Sequence, residues 1–175
     1  MYYRRRRGRK WKSVNKYNLE TVSIASEWKS SDTNTVRTEV VASTNTTTGV
    51  RKVANIKGDI VISASNGDVG QNAAILAAII YLPEGFDKTT INLSLASAQA
   101  ADKDRAAVDI YSPSQNIMWS GTVGVHDGHL KFRVPINRNL NAGDRVILAY
   151  RQLFWPTGNS LLQVNSVISY AICYR

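Results

Sequence analysis

The stretch GVRKVANIKGDIVISAS, residues 49–65, alternates between apolar and polar side chains, but in two parts that are out of phase. Val53 belongs to the first part and Ile56 to the second, so a regular strand would place them on opposite faces of a sheet. A bulge near Ala54–Asn55, or a bend at Gly58, would bring both parts onto one face. The stretch therefore predicts a β-strand with an irregularity in its middle.

The runs on either side of this stretch also have the composition of strands. VRTEVVAS, residues 36–43, precedes it, and AAILAAIIYL, residues 73–82, follows it. The second run is ambiguous because alanine permits a helix, but Ile79, Ile80 and Tyr81 favour a buried strand. Further strands are predicted at TINLSLA (90–96), AAVDIYS (106–112), IMWSGTV (117–123), DRVILAYRQLF (144–154) and QVNSVISYAICYR (163–175).

Turn and loop signals separate these runs. Asp127-Gly128 lies inside GTVGVHDGHLKFRVPI, which predicts a hairpin, because both central positions of a two-residue turn accept a positive φ. Residues 28–35 and 43–49 are predicted to be loops, and residues 97–107 a short helix or an exposed loop. About eight to ten short strands are predicted in total, which is typical of an all-β antiparallel sandwich or barrel.

Alternation in the last two strands indicates which side chains face a core. In residues 144–154, one face carries Val146, Leu148 and Tyr150. In the closing run, one face carries Ser166, Ile168, Tyr170, Ile172 and Tyr174. Because the sequence runs to position 175 inside this pattern, we expect its final residues to be tied into a sheet.

The charge of the chain is concentrated at its start, in YYRRRRGRKW, residues 2–11. Residues 1–17 hold eight of the 22 Lys and Arg residues and no acid, so the rest carries 14 basic and 13 acidic residues. The chain is thus predicted to consist of a basic, disordered arm (residues 1–17) and a nearly neutral globular domain (residues 18–175).

Arginine and aromatic side chains together favour single-stranded nucleic acid as the partner of the arm. The guanidinium group fits phosphate oxygens, and aromatic rings stack on unpaired bases without reading their sequence. A nuclear-import signal, an anionic membrane and a solvated tail without a partner remain alternatives. The residues predicted to bind nucleic acid from the arm are Arg4, Arg5, Arg6, Arg7, Arg9, Lys10, Trp11, Lys12 and Lys16.

The sequence contains little that indicates catalysis. His126 and His129 flank the Asp127-Gly128 turn, but no third or fourth metal ligand is evident, and the single cysteine, Cys173, forms no metal cluster. There is no phosphate-binding glycine loop and no nucleophile elbow. We therefore predict no enzyme activity, no metal and no cofactor, with an enzyme of the nuclease type, using acidic metal ligands, or of the hydrolase type as the weaker alternative. No apolar run is long enough for a transmembrane helix, so no membrane association is predicted.

Phe154 and Trp155 are candidates for a contact between subunits. They lie side by side in FWPTGN, residues 154–159, next to a turn. If they are exposed, burial at a contact between copies is the natural explanation, and the alternative is that they cap the core of their own domain. Trp28 and Trp119 are more typical of core or interface residues than of a ligand-binding cage.

The order of these parts resembles the capsid proteins of the circular Rep-encoding single-stranded DNA viruses, the group that includes circoviruses and nanoviruses. The resemblance rests on YYRRRRGRKW at the start, GVRKVANIKGDI early in the domain and LNAGDRVILAYR near the end. It covers nearly the whole chain as a pattern, although the chain is shorter than circovirus capsid proteins and nearer in size to those of nanoviruses.

The resemblance implies a single antiparallel eight-stranded jelly-roll sandwich that assembles into a T=1 icosahedral shell of about 60 copies. The arm would then face the single-stranded genome, expected to be DNA with RNA as the alternative, and would double as a nuclear-import signal. The implied partners are other copies of the chain, a host import receptor and a cell-surface attachment factor, and the implied locations are the virion and the host nucleus.

A partly neutralised genome also requires cations on the domain itself, for which the candidates are Lys29, Arg37, Arg51, Lys52 and Lys57. The competing hypothesis is a β-barrel that binds single-stranded nucleic acid and carries a basic tail. Such a binder requires a groove lined by basic and aromatic residues on the barrel.

Overall fold

The computed structural model describes residues 17–29, 35–43, 50–64, 73–91, 93, 115–154 and 161–174. All the strands in this part of the chain pair antiparallel, in two sheets, so the protein is an antiparallel β-sandwich as predicted. The strands are β1 (Asn18–Trp28), β2 (Val36–Ser43), β3 (Arg51–Ala64), β4 (Ala74–Leu82), β5 (Ile117–Gly124), β6 (His129–Arg133), β7 (Arg138–Leu140), β8 (Arg145–Phe154) and β9 (Leu162–Tyr174).

The strands pair in a nested order. The first sheet has the order β1-β9-β3-β6, with β7 also paired to β3, and the second has the order β2-β8-β4-β5. The first four strands therefore alternate between the two sheets. The later strands return in reverse sequence to pair with them: β5 with β4, β6 and β7 with β3, β8 with β2, and β9 with β1.

The irregularity predicted in the middle of β3 is a bulge. The register between β3 and β9 shifts between Ala54 and Lys57, and Asn55 adopts a positive φ of 53°. The bulge brings Val53 and Ile56 into the same core, as the out-of-phase alternation predicts. Gly58 serves a different purpose from the predicted bend, because a Cβ atom there would lie 2.5 Å from the ring of Phe132.

The bulge also coincides with the interruption between β6 and β7. β7 pairs with Arg51–Val53, before the bulge, and β6 pairs with Lys57–Val61, after it. Both lie on the edge of β3 opposite to β9, and the Val134 N–H donates to the Ile56 carbonyl between them at 2.8 Å. β6 and β7 thus follow one another along the same side of β3.

The core between the two sheets is built by the faces that alternation predicts. Val146, Leu148 and Tyr150 of β8 are fully buried there, and so are Ser166 and Ile168 of β9. The Tyr150 and Ser166 hydroxyl oxygens lie 2.5 Å apart, so a hydrogen bond joins the two sheets in their interior. Burial raises the pKa of Tyr150, which keeps the phenol neutral.

The strand β4 is buried on both faces, as its continuous apolar sequence predicts. Its outward-facing side chains, including Leu76 and Ile80, pack with Ile91 and Leu93 from the segment that follows the strand. The strand predicted at residues 90–96 is wrong for its described residues, because Thr90 ends a 3-10 turn and neither Ile91 nor Leu93 lies in a strand. Their apolar alternation reflects docking onto β4 rather than backbone pairing.

The predicted hairpin around Asp127-Gly128 is wrong. β5 belongs to the second sheet and β6 to the first, so the turn carries the chain from one sheet to the other. Gly128 has a positive φ of 64°, and its carbonyl accepts from the Ile62 N–H of β3 at 3.0 Å. The turn chemistry fixes the reversal of the chain, but the strand partners are fixed by the rest of the sandwich.

The strand β1 was not among the predicted strands. Its sequence, NLETVSIASEW, alternates in the register that places Val22, Ile24 and Trp28 toward the core. Trp28 was assigned to a loop but is the last residue of β1 and is fully buried. The strand predicted at residues 106–112 and the segment 97–107 lie outside the described residues.

We expect Asp144→Ala to lower the free energy of unfolding by at least about 2 kcal/mol, because it leaves buried donors without an acceptor. The buried Asp144 carboxylate accepts from the Tyr81 hydroxyl at 2.7 Å and from the backbone N–H groups of Asn141 and Glu84 at 2.8 and 3.0 Å. Burial of the Tyr81 phenol and its hydrogen bond to the Asp144 carboxylate raise the pKa of Tyr81 to about 12.

The effect of Asp144→Ala is measured by denaturant unfolding. The exposed Asp127 provides the control, since Asp127→Ala should change stability by less than about 0.5 kcal/mol. Equal stabilities for the two variants would show that the Asp144 hydrogen bonds do not hold the start of β8 to the end of β4.

Candidate nucleic-acid interface

Most of the residues predicted to bind nucleic acid lie before the first described residue, Tyr17. The predicted arm residues from Arg4 to Lys16 are therefore outside the described part of the chain, and so is Trp155. The backbone of Phe154 ends β8, near its register partner Ala74 in β4. The chain enters the sandwich at Asn18, the first residue of β1, at an edge of the first sheet.

Arg37 supports the fold at the corner between the two sheets. Its guanidinium group donates to the backbone carbonyl of Glu27 and lies over the Trp28 ring, 4.7 Å from the centroid. These contacts join β2 of the second sheet to β1 of the first. A cation stacked on a buried tryptophan contributes to stability in its own right, so these contacts give Arg37 a structural role.

Arg51 and Lys52 point to opposite faces of the first sheet. Arg51 is paired with Leu140, a fully buried residue, and its guanidinium group donates to the Ser43 carbonyl at 3.3 Å. Lys52 is paired with the exposed Asn139 and therefore lies on the outer face. Of Arg37, Arg51 and Lys52, only Lys52 projects from the outer face of the first sheet.

The outer face on which Lys52 lies carries three further cations, of which Lys57 is also among the predicted residues. Lys57 of β3 and Lys131 and Arg133 of β6 are exposed, and they alternate with the inward-facing Leu130 and Phe132. Sequence reasoning missed Lys131 and Arg133, although the alternation of HLKFR, residues 129–133, contains the signal. We define the basic face as Lys52, Lys57, Lys131 and Arg133.

The charges on the basic face are not balanced. Lys57 and Arg133 are direct partners across β3 and β6, and like charges in such a pair repel each other. Asp59, the partner of Lys131, is the single carboxylate among these strand positions, and it also pairs with His129. Four permanent cations therefore face one carboxylate.

A groove of about 510 Å³ lies on the outer side of the first sheet, beside the cations of the basic face. Lys57 and Lys131 line one side of it, and side chains of β9 line the other. Its floor and walls combine exposed valines with small polar side chains: Val61, Val167, Asn165 and Ser169. The Asp59 carboxylate lines the groove as well, so its charged lining is two lysines and one carboxylate, and the net positive charge favours an extended, anionic chain.

The described residues contain no cluster of three or more His, Cys, Asp or Glu residues placed to hold a metal ion. His129 pairs with Asp59, and His126 is exposed in the turn between β5 and β6. Within the same part of the chain, no helix has the length and hydrophobicity needed to cross a membrane. The sequence matches no protein-family model and shows no significant similarity to a curated protein.

Proposed function

We propose that this protein is a viral capsid protein, not an enzyme, and that it packages a single-stranded genome through its basic arm. In this proposal the sandwich is an eight-stranded jelly roll that assembles into a closed shell. The nested pairing of the strands is the observation that carries the proposal, because it is what a jelly roll requires.

A jelly roll is a single long antiparallel ribbon wound into two sheets, so its first strand pairs with its last and its middle strands pair with each other. The pairs β1–β9, β2–β8 and β4–β5 follow this rule. β6 and β7 both pair with the same side of β3 and count as one interrupted strand. With that count, the described residues contribute eight strand positions, four in each sheet, which supports the proposed jelly roll.

The division of charge along the chain supports a packaging role. Residues 1–17 carry eight cations and no acid, whereas the rest of the chain has a net charge of only +1. Because β1 begins at Asn18, the arm is attached to one corner of the sandwich and could extend about 50 Å from it. An arm of this length and charge can reach a genome enclosed by the shell.

The resemblance to circular Rep-encoding single-stranded DNA viruses supports a T=1 shell of about 60 copies and a DNA genome, with RNA as the alternative. By the same resemblance we propose that the protein resides in the virion, and in the host nucleus during assembly. A host import receptor and a cell-surface attachment factor complete the proposed partners.

The second candidate is a single-stranded nucleic-acid-binding protein that does not form shells. The groove beside Lys57 and Lys131 favours it, since such a binder needs a basic groove on its folded domain. The two candidates differ in the mass of the particle. Sedimentation at near-physiological salt should give roughly 1.2 MDa for a shell of about 60 copies of a 19.4 kDa chain, and a monomer or dimer for the alternative.

A further inference from the structure

We propose that the basic face is a second nucleic-acid-binding surface, which holds the sugar-phosphate backbone of a single strand independently of the arm. We further infer that the basic face forms the inner wall of the shell. This placement rests on the proposed capsid function. The occupant is a polyanionic chain, bound through its phosphates and without reading its base sequence.

Electrostatic repulsion within the basic face favours an anionic partner. Lys57 and Arg133 lie directly opposite each other, in an arrangement that lowers the stability of the isolated domain. A phosphate between them would remove the repulsion and would accept hydrogen bonds from both side chains. Lys131 lies two residues along β6 from Arg133, about 7 Å away, so neighbouring phosphates of one strand can be held in series.

Protection of a sheet edge does not account for the basic face. Charged side chains often guard an edge strand against pairing with other chains, and β6 is an edge strand of the first sheet. Lys52 and Lys57, however, lie on β3, which has paired strands on both sides. Lysines on an interior strand cannot guard an edge, so edge protection does not explain the basic face.

The arm joins the sandwich near one end of the basic face. Asn18 of β1, Ile172 of β9 and Val53 of β3 lie in one row across the first sheet. Lys52 is next to this row, so the arm leaves the sandwich at the end of the sheet where the basic face begins. A strand gathered by the arm can therefore continue along the groove beside Lys57 and Lys131.

The basic face also adds materially to the charge available for a genome. About 60 arms supply roughly 480 positive charges, which neutralise only part of a genome of a thousand or more nucleotides. With four cations and one carboxylate, each basic face adds about three charges, or roughly 180 per shell.

The test compares two full-length variants that lose the same charge. Lys57→Gln/Arg133→Gln removes the opposed pair, and Lys88→Gln/Arg145→Gln removes one lysine and one arginine from positions off this face. Binding to an oligothymidine of about 16 nucleotides is measured over a range of salt concentrations. The slope of log K against log salt should fall by about 1.4 in the first variant and stay near that of the parent in the second.

A third variant and a stability measurement complete the test. Lys57→Arg/Arg133→Lys keeps the charge and should keep the parent slope. Thermal unfolding of Lys57→Gln/Arg133→Gln should occur at the parent temperature or above it, because the repulsion is gone. An unchanged slope in this variant, or an equal fall in the Lys88/Arg145 control, would overturn the proposal.

The second binding surface and the capsid function can fail separately. If the variant lowers the slope of log K against log salt but the protein never forms large particles, the second binding surface is supported and the capsid function is contradicted. If the variant forms closed particles and its slope does not change, the capsid function is supported and the second binding surface is contradicted.

Discussion

Deletion of Met1–Tyr17 is expected to reduce packaged nucleic acid at least about tenfold and to leave the sandwich folded. The deletion removes eight cations and no acid, so the salt dependence of binding to a single strand should lose about 5 to 6 units of slope. The fold should persist because β1 begins at Asn18 and Tyr17 is exposed. The weaker contacts of the basic face would account for the nucleic acid that remains.

This expectation is tested by measuring nucleic acid per mass of protein in purified particles, together with circular dichroism of the truncated chain. A matched control replaces Arg4, Arg5, Arg6, Arg7 and Arg9 by lysine, which keeps the charge and should keep most of the cargo. Full packaging by the truncated protein would show that the arm is not the principal genome-binding element.

The double substitution Phe154→Ser/Trp155→Ser is expected to abolish assembly while the subunit stays folded. Aromatic residues at the centre of a contact commonly contribute about 2 kcal/mol or more each, and a closed shell repeats the loss at every copy. Phe154 is the last residue of β8, so its backbone lies where the chain leaves the second sheet.

Phe86 provides the control for this substitution, because it is an exposed aromatic residue in the segment between β4 and the 3-10 turn. Phe86→Ser should assemble normally. Sedimentation of both variants gives the readout, and unfolding curves show whether each subunit is stable. Normal particles from the double variant would show that Phe154 and Trp155 do not contribute to the contact between copies. They would then belong to the domain's own core or to an innocuous surface.

The strands could be predicted where local alternation and burial agree. The phase shift between Val53 and Ile56 predicted the bulge of β3, and the apolar run of β4 predicted a strand covered on both faces. The same kind of pattern failed at Ile91 and Leu93, because side chains that dock on a sheet alternate in the same way as side chains within one. Periodicity reports which side chains are buried, and not whether the backbone is paired.

Long-range pairing could not be predicted from turn chemistry. Asp127-Gly128 has the sequence of a hairpin turn, yet β5 and β6 join different sheets, because β4 and β3 offer them longer partners. The strand β1 shows the converse case. Its alternation is clear once the pairing with β9 is known, but its threonine, two serines and two glutamates resemble those of a loop.

The candidate site was predictable in composition but not in placement. Lys52 lies on the outer face of the first sheet, whereas Arg37 packs on Trp28 and Arg51 contacts the Ser43 carbonyl. Lys131 and Arg133 could be found only by pairing β6 with β3, since they are 74 and 76 positions from Lys57 in the sequence. A surface formed by strands distant along the chain has no local sequence signal.

The most direct test of the central claim is negative-stain electron microscopy of the purified full-length protein, combined with the ratio of nucleic-acid to protein absorbance in the same fraction. We expect uniform closed particles with an elevated ratio of nucleic-acid to protein absorbance. Closed particles with a low ratio would contradict genome packaging by the purified protein. Small species at every salt and protein concentration would contradict the capsid function and favour a single-strand-binding protein.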